Sequence, residues 1–413
     1  MIPIIKKTRN KATIAAMIGT ALEYYDMSLY GLMAPLLVSI FLPAFDPLSA
    51  LIMTFIFTPI SIIVRPLGAL VIGRIGDKHG RKQGLIISIG GMAIVTGIIG
   101  FLPTYQQIGL AAPILFLILR SLQGFFLAGE YNGGAIFVLE HGDENRKGFL
   151  SGLYFAYTVV GILFATIVVT IISYLPKEYW RIPYILGFIT GVVGLYIRGY
   201  ISETPKFLKY KNIDNITFGD ILSKYRLIFI SIGVSGFLAA LCTMPTILMN
   251  SFLPMVTSFK LSTIMSINSA ATILFMIMMP IFGHISDKIS FNKSMNIAAV
   301  IILFLSYPLI SLISYNTLSA IVIMKMLFAI INAWFVAPFH AWIQSLFHTK
   351  ERYTAISFSY SIGYQLGGLV VPLSLFMWKE THSLASIYLI LMFWAVIAMI
   401  SLYYERRYAN KHE

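Results

Sequence analysis

The sequence predicts an all-α membrane protein in which twelve spanning helices form two six-helix bundles related by a pseudo-two-fold axis along the membrane normal. Three observations carry that prediction. Of the 413 residues, 58% are hydrophobic and only 11% charged, where a soluble globule of this length carries about 25% charged residues; the mean hydropathy is +0.82. The apolar runs reach the roughly 20 helical residues that cross a hydrocarbon core of about 30 Å, and the alternating pattern of a β-barrel is absent. The chain also repeats itself, as set out below.

Breaking the runs at charge clusters and at Pro, Gly and Asn turns places the spans near 12–42, 48–73, 83–102, 110–138, 147–174, 180–201, 226–254, 261–283, 293–314, 316–346, 350–376 and 381–404. The first begins after a basic start, but its apolar run is longer than that of a signal peptide and has no small-x-small cleavage site, so it is expected to be retained. Spans six and seven are joined by "SETPKFLKYKNIDNITFGDILSKY", the only long polar connector. It divides the chain into a bundle at 1–201, a connector at 202–225 and a second bundle at 226–413.

Orientation follows from Lys and Arg, which stay on the cytoplasmic side. With both termini inside, the inner segments hold 23 of the thirty basic residues and the outer loops only Lys177, Arg181, Lys260 and Lys379. Arg65, Arg120 and Lys325 fall within spans. The net charge of +13 therefore reads as topology and lipid contact, and gives no reason to expect a nucleic-acid partner. Cys242 is the single cysteine, so no intrachain disulfide is possible, and no metal framework is visible.

Two loop segments recur. "GRIGDKHGRK" after span two and "GHISDKISFNK" after span eight align Gly73, Asp77 and Lys78 with Gly283, Asp287 and Lys288, an offset of 210. "RKGFLSGLYFAYTVVG" and "RYTAISFSYSIGYQLG" align Arg146, Ser151, Tyr154 and Gly161 with Arg352, Ser357, Tyr360 and Gly367 at offset 206. Parallel repeats of six helices around a central site are a common architecture of secondary carriers, which alternate access by rocking one half against the other.

The first of these loops resembles the signature of the major facilitator superfamily: glycine, three residues, aspartate, two residues, then Gly-Arg-Lys. Within that superfamily, "LEYYDMSLYG", "RPLGALVIGRIGDKHGRK", "RSLQGFFLAGEYNGGA", "RKGFLSG", "WRIPYILG" and "SETPKF" resemble the metabolite:proton symporters, which carry proline and glycine betaine, α-ketoglutarate, shikimate or citrate. The likeness is strongest over 12–207; in the second loop "ISFNK" replaces the Gly-Arg pair. It implies a multi-pass protein of a bacterial inner membrane, working as a monomer with a proton as coupling ion and no cofactor. It also makes Gly73, Arg74, Asp77, Gly80, Arg81 and Lys82, with Asp287 in the repeat, a latch on the cytoplasmic side. A carboxylate there can cap orphan amides at a helix start while the arginines bridge neighbouring helix ends.

Charge at mid-bilayer is costly, about 2.5–3.5 kcal/mol per residue on insertion scales, and usually faces a cavity. Glu23 and Asp26 are three residues apart, a turn of about 300°, and so share one helix face with Met27 and Tyr30. Rise per residue puts Glu23 and Glu130 at similar depth, about 6–9 Å to the cytoplasmic side of the middle, Asp26 near the middle and Arg120 about 6 Å outward. Glu23, Glu130 and Asp26 are therefore the proton-coupling candidates. Arg120 can neutralise Asp26 or grip a substrate carboxylate with its planar fork. A structural ion-pair network joining spans one and four is the competing reading.

Arg65 and Lys325 are each read as able to snorkel to the headgroups, and Lys325 equally as able to hold a carboxylate. Gly124, Gly129, Gly133 and Gly134 thin one flank of span four and favour close helix packing. Tyr24, Tyr25, Tyr154, Tyr157, Trp334, Tyr360, Tyr364 and Gln365 are candidates for an aromatic and polar wall that can cage a quaternary ammonium; His340 is the other basic group deep in span ten.

A membrane-embedded enzyme finds little support: HExxH, GxSxG, CxxC and phosphate loops are absent. A transporter-like sensor calls for an added output domain, whereas the sequence runs only to "YYERRYANKHE" after span twelve. Osmotic gating through a long coiled-coil tail, as in some betaine carriers, is for the same reason not expected. Three acids and two or three bases suit a small zwitterion such as proline or betaine. A dicarboxylate or related organic acid (α-ketoglutarate, citrate or shikimate) is the alternative, and a dianion such as α-ketoglutarate calls for more cations than Arg120 and Lys325.

Overall fold

In the computed structural model, which describes residues 2–41, 47–210, 219 and 223–409, the chain is helical throughout. The long segments are α1 (Ile2–Phe41), α2 (Pro47–Lys78), α3 (Arg81–Phe101), α4 (Ala111–His141), α5 (Lys147–Ser173) and α6 (Ile182–Gly199). They continue as α7 (Tyr225–Val256), α8 (Leu261–Ile289), α9 (Phe291–Ser311), α10 (Leu318–Leu346), α11 (Arg352–Thr381) and α12 (Ala385–Ala409). Among the described residues, the segments from α3 to α12 are each long and apolar enough to cross a membrane, and α1 and α2 carry the first two predicted spans. Twelve membrane helices result.

Compactness divides the chain into two units. One comprises residues 1–142, 157–216 and 348–358; the other comprises 143–156, 217–347 and 359–413. The first turns of α5 and α11 thus each belong to a different unit from the rest of their helix. In the first unit Tyr25, Leu29, Met33, Leu37 and Phe41, spaced every four residues, form one ridge of α1. The ridge is buried against Val95 and Ile99 of α3, Phe116 of α4 and Ala165 of α5. Phe41 stacks on Phe116 with centroids 4.8 Å apart, and the Tyr25 hydroxyl donates to the Pro183 carbonyl at 3.0 Å. In the second unit α7 breaks at Met244–Leu248 into a π-turn, where Pro245 supplies no amide and Met249 N–H donates back to Met244 O.

The two repeated loops share a backbone device. Gly80, between α2 and α3, has φ +121°, and Ser290, 210 residues on between α8 and α9, has φ +83° with nearly the same ψ. A serine in that region is strained where a glycine is not. The sharp break between helices is thus kept in the second loop although its glycine is gone.

Candidate functional site

Both acids of α1 are buried in the first unit, and a single helical turn separates two different environments. Glu23 (4% exposed) lies beside Glu130 of α4, whose carboxylate forms an ion pair with Arg198 of α6; Glu130 and Arg198 are 0% and 1% exposed. Arg198 lies against the backbone at Gly19, one turn before Glu23, and aims a second N–H at the Leu85 carbonyl. Arg65 is buried as well, so it does not snorkel, and it acts on Glu23 more weakly than Arg198 does. In contact, then, are two carboxylates and the Arg198 guanidinium, with the Arg65 guanidinium acting on Glu23 more weakly.

Asp26 sits in a neutral setting. Its Oδ2 accepts from the Thr96 hydroxyl of α3, Thr96 Oγ1 accepts from Gln123 Nε2 at 2.6 Å, and Gln123 Oε1 accepts from Arg120. Arg120 therefore reaches Asp26 only through two intervening side chains. The direct pairing of Arg120 with Asp26 expected from sequence is not formed, because Gln123, one turn along α4, takes the guanidinium first. The face of that guanidinium lies 4.1 Å from the centre of the Tyr30 ring, a cation–π contact. Every donor in the relay points toward Asp26, so positive character is passed along to the carboxylate.

In the second unit Lys325 of α10 is 2% exposed. Its ammonium donates to Pro245 O at 3.0 Å, to Asn268 Oδ1 at 3.0 Å and to Asn250 Oδ1. The snorkelling expectation is overturned: three acceptors from the π-turn, α7 and α8 meet the three ammonium hydrogens, so the charge is solvated where it lies. Among the described residues no carboxylate pairs with it. Tyr154 and Tyr360 are buried, with Tyr154 edge-on to His340 at 5.3 Å and Tyr360 5.2 Å from Tyr364. Trp334 stacks on Phe282 and donates to Ser294 Oγ at 3.1 Å. Gln365 is half-buried. Tyr24 and Tyr157 belong to the first unit, Tyr24 lying 5.6 Å from Tyr131.

At the α2–α3 connection Asp77 caps the start of α11: it accepts from Tyr353 N at 3.1 Å, Thr354 N at 2.8 Å and Thr354 Oγ1 at 2.6 Å. Burial pushes the Asp77 carboxyl above the usual aspartate range, opposed by Arg81 and by these bonds. Arg81, fully buried, pairs with Asp77 and donates to the Gly76 and Thr349 carbonyls. Behind it Glu140 of α4 accepts from Arg352 at 2.9 Å and from Thr204 Oγ1 at 2.7 Å. Gly73 packs directly on Thr354, and Lys82 donates its backbone N–H to Glu203 Oε2 at 3.0 Å. Arg74 is exposed and stands outside this network. In the second unit Asp287 does the corresponding thing, accepting from Gly148 N at 2.6 Å and Phe149 N at 3.0 Å at the start of α5.

A family model described as Major Facilitator Superfamily matches residues 16–372. The chain belongs to that superfamily. It is 29% identical over 426 residues to the glycine betaine/proline/ectoine/pipecolic acid transporter of Dickeya dadantii, covering 97% of this chain and 84% of the relative. Against the proline/betaine transporter of Escherichia coli the identity is 29% over 420 residues, with the same coverage. Among solved structures, that of a proton:xylose symporter superposes with a TM-score of 0.76 at 14% identity, covering 97% of this chain and 96% of that one. Membership makes the chain a multi-pass membrane transporter for small molecules, a class distinct from enzymes.

Several residues of this superfamily member's polar clusters escape the sequence reading. Arg198 ends span six and counts there as one more inner basic residue; nothing local marks it as the partner of Glu130. Thr96, Gln123, Asn250 and Asn268 are uncharged and stand in apolar runs, so their convergence on Asp26 and Lys325 is a product of helix packing. Glu140 and Arg352 carry a weak signal, since both flank the loops that repeat. The thinned flank of α4 is partly as expected: Gly129 faces Ile72 and Ser88 and Gly133 faces Tyr353, but Gly124 faces open space.

Proposed function

We propose that the chain is a proton-coupled symporter that takes up a small zwitterion of the proline or betaine class by alternating access. The observation that carries the coupling is the contact of two buried carboxylates, Glu23 and Glu130, beside the guanidinium of Arg198. Two carboxylates held side by side share a proton when the site is closed to water and release it when it is hydrated. The substrate class draws support from the names of the relatives and from the buried charges of both signs. Arg120 is the candidate grip for the substrate carboxylate, and Lys325 supplies positive potential from the second unit. Tyr24, Tyr154, Tyr157, Trp334, Tyr360 and Gln365 are the candidate wall for the cationic end.

On this reading the bundles at 1–201 and 226–413 rock one against the other, with both termini and the 202–225 connector cytoplasmic and the monomer as working unit. Asp77 with Arg81 and Glu140, and Asp287 in the repeat, form the cytoplasmic latch. The deciding experiment is reconstitution of Glu23→Gln and Glu130→Gln into liposomes with labelled proline, glycine betaine and α-ketoglutarate. Accumulation driven by a pH gradient should be lost while exchange of substrate for substrate persists, since exchange moves no net proton. If both variants still concentrate substrate with a normal proton requirement, the carboxylates are structural.

A further inference from the structure

One side chain touches both the latch and the neighbourhood of the buried carboxylates. Tyr353, at the start of α11, is fully buried. Its backbone N–H is capped by Asp77, and its hydroxyl donates to the Gly129 carbonyl of α4 at 2.9 Å. Between these two anchors the ring fills a slot to which three helices each contribute a glycine: Gly76 of α2, Gly84 of α3 and Gly133 of α4. A Cβ at Gly84 would come within 2.9 Å of the ring, a Cβ at Gly76 would overlap it, and one at Gly133 would overlap the hydroxyl. Glu130, Arg198, Arg81 and Asp77 all act electrostatically on that hydroxyl. All these residues lie in the first compact unit, whereas α11 from Ser359 onward belongs to the second.

We infer that Tyr353 is a plug: with the latch closed it fills the slot between the α2–α3 connection and the Glu130–Arg198 pair, keeping water from that side off the carboxylates. Release of the Asp77 cap frees the first turn of α11, and the ring leaves with it. The vacated slot holds several waters, each of about 30 Å³, lined by the Gly129 carbonyl and adjoining Glu130. Latch opening and hydration of the carboxylates are then one event. This explains why three helices supply glycine at the same place, where close helix packing alone would need only pairs. The inference deepens the proton-coupling reading and rests on it for its purpose, but the barrier to water stands or falls separately.

The test reads water access without a proton gradient. In full-length protein carrying Cys242→Ser, Ser88→Cys places a thiol at a fully buried site facing Gly129, next to the slot. Its reaction with a small charged methanethiosulfonate is measured in oriented membrane vesicles. From the side carrying residues 78–82, Tyr353→Ala should speed labelling about tenfold or more, the scale on which loss of one buried ring shifts a local opening equilibrium. From the opposite side the rate should not change. Tyr353→Phe keeps the ring and should remain close to the parent. Gly133→Ala, whose methyl displaces the hydroxyl, should give the same rise, whereas Gly124→Ala, which meets open space, should not. Elution as a monodisperse peak checks folding of each variant. Unchanged labelling in well-folded Tyr353→Ala and Gly133→Ala, with the thiol reactive after unfolding, overturns the plug. A rise in labelling alongside intact proton-driven uptake by Glu23→Gln and Glu130→Gln keeps the plug and discards the coupling role.

Discussion

Replacing Arg198 by glutamine removes the cation that pairs with Glu130 while keeping a side chain of similar reach. Both partners are essentially inaccessible to solvent, at 1% and 0% exposure. Breaking a buried pair from one side costs about 3–5 kcal/mol, because the remaining charge is stranded in low dielectric. Glu23 makes the case harsher here, since a second carboxylate lies beside the first. In a body of roughly 200 residues each kcal/mol shifts the melting temperature by about 2–4 °C, so Arg198→Gln should melt about 6–20 °C lower in detergent. Adding Glu130→Gln removes the stranded charge, so the double variant should recover more than half of that loss, a large non-additive term. If Arg198→Gln melts within about 2 °C of the parent, or if the two losses simply add, the pair is not what holds α4 and α6 together at this depth.

Two further outcomes follow from the loops. Ser290 stands at φ +83°, a conformation costing a non-glycine residue about 1–3 kcal/mol; Ser290→Gly should therefore raise the melting temperature, and Gly80→Ser, at φ +121° with Glu203 close by, should lower it. A fall on Ser290→Gly would show that the Ser290 Oγ cap of Lys293 N outweighs the strain. Asp77→Asn keeps the shape but weakens three bonds to the start of α11 and the pair with Arg81, so it should slow turnover several-fold with little change in substrate affinity, because the latch does not touch Arg120 or Lys325. A large loss of affinity with normal turnover of bound substrate, measured by counterflow against equilibrium binding, would contradict that assignment.

What the sequence makes legible is what is local. Hydropathy over 20 residues marks a span whatever it packs against, and the α2–α3 loop carries its signature in ten consecutive residues, so spans and latch are readable from one strand of text. Glu23 and Glu130 are readable too, because a carboxylate in a hydrocarbon run stands out and a rise of 1.5 Å per residue gives its depth. The partners are not. Arg198 lies at a helix end where a basic residue already has a reason to be, and only the packing of α6 against α4 turns it inward. Lys325 resembles a snorkelling residue until Asn250, Asn268 and the Pro245 carbonyl of the π-turn are seen to surround it. Gly133 reads as a packing glycine and Gly76 and Gly84 draw no reading of their own, and only Tyr353, over two hundred residues later, brings the three together.

The two acids of α1 show why spacing alone does not assign roles. Glu23 and Asp26 share a helix face, but that face crosses a boundary between two kinds of solvation. Glu23 meets another carboxylate, with the guanidiniums of Arg198 and, more weakly, Arg65 acting on it. Asp26 meets a hydroxyl that is itself held by an amide and, behind that, by Arg120; its Oδ2 has a donor fixed in orientation, and the positive group at the far end of that relay is the candidate grip for substrate. A substrate carboxylate bound at Arg120 would compete with Gln123 for the guanidinium and loosen the chain that ends on Asp26. Three residues away, on the same rigid helix, sits Glu23. Substrate and proton need not meet to be coupled in such an arrangement: the helix that carries both acids is shared, and whatever moves one end of the relay moves the other acid with it.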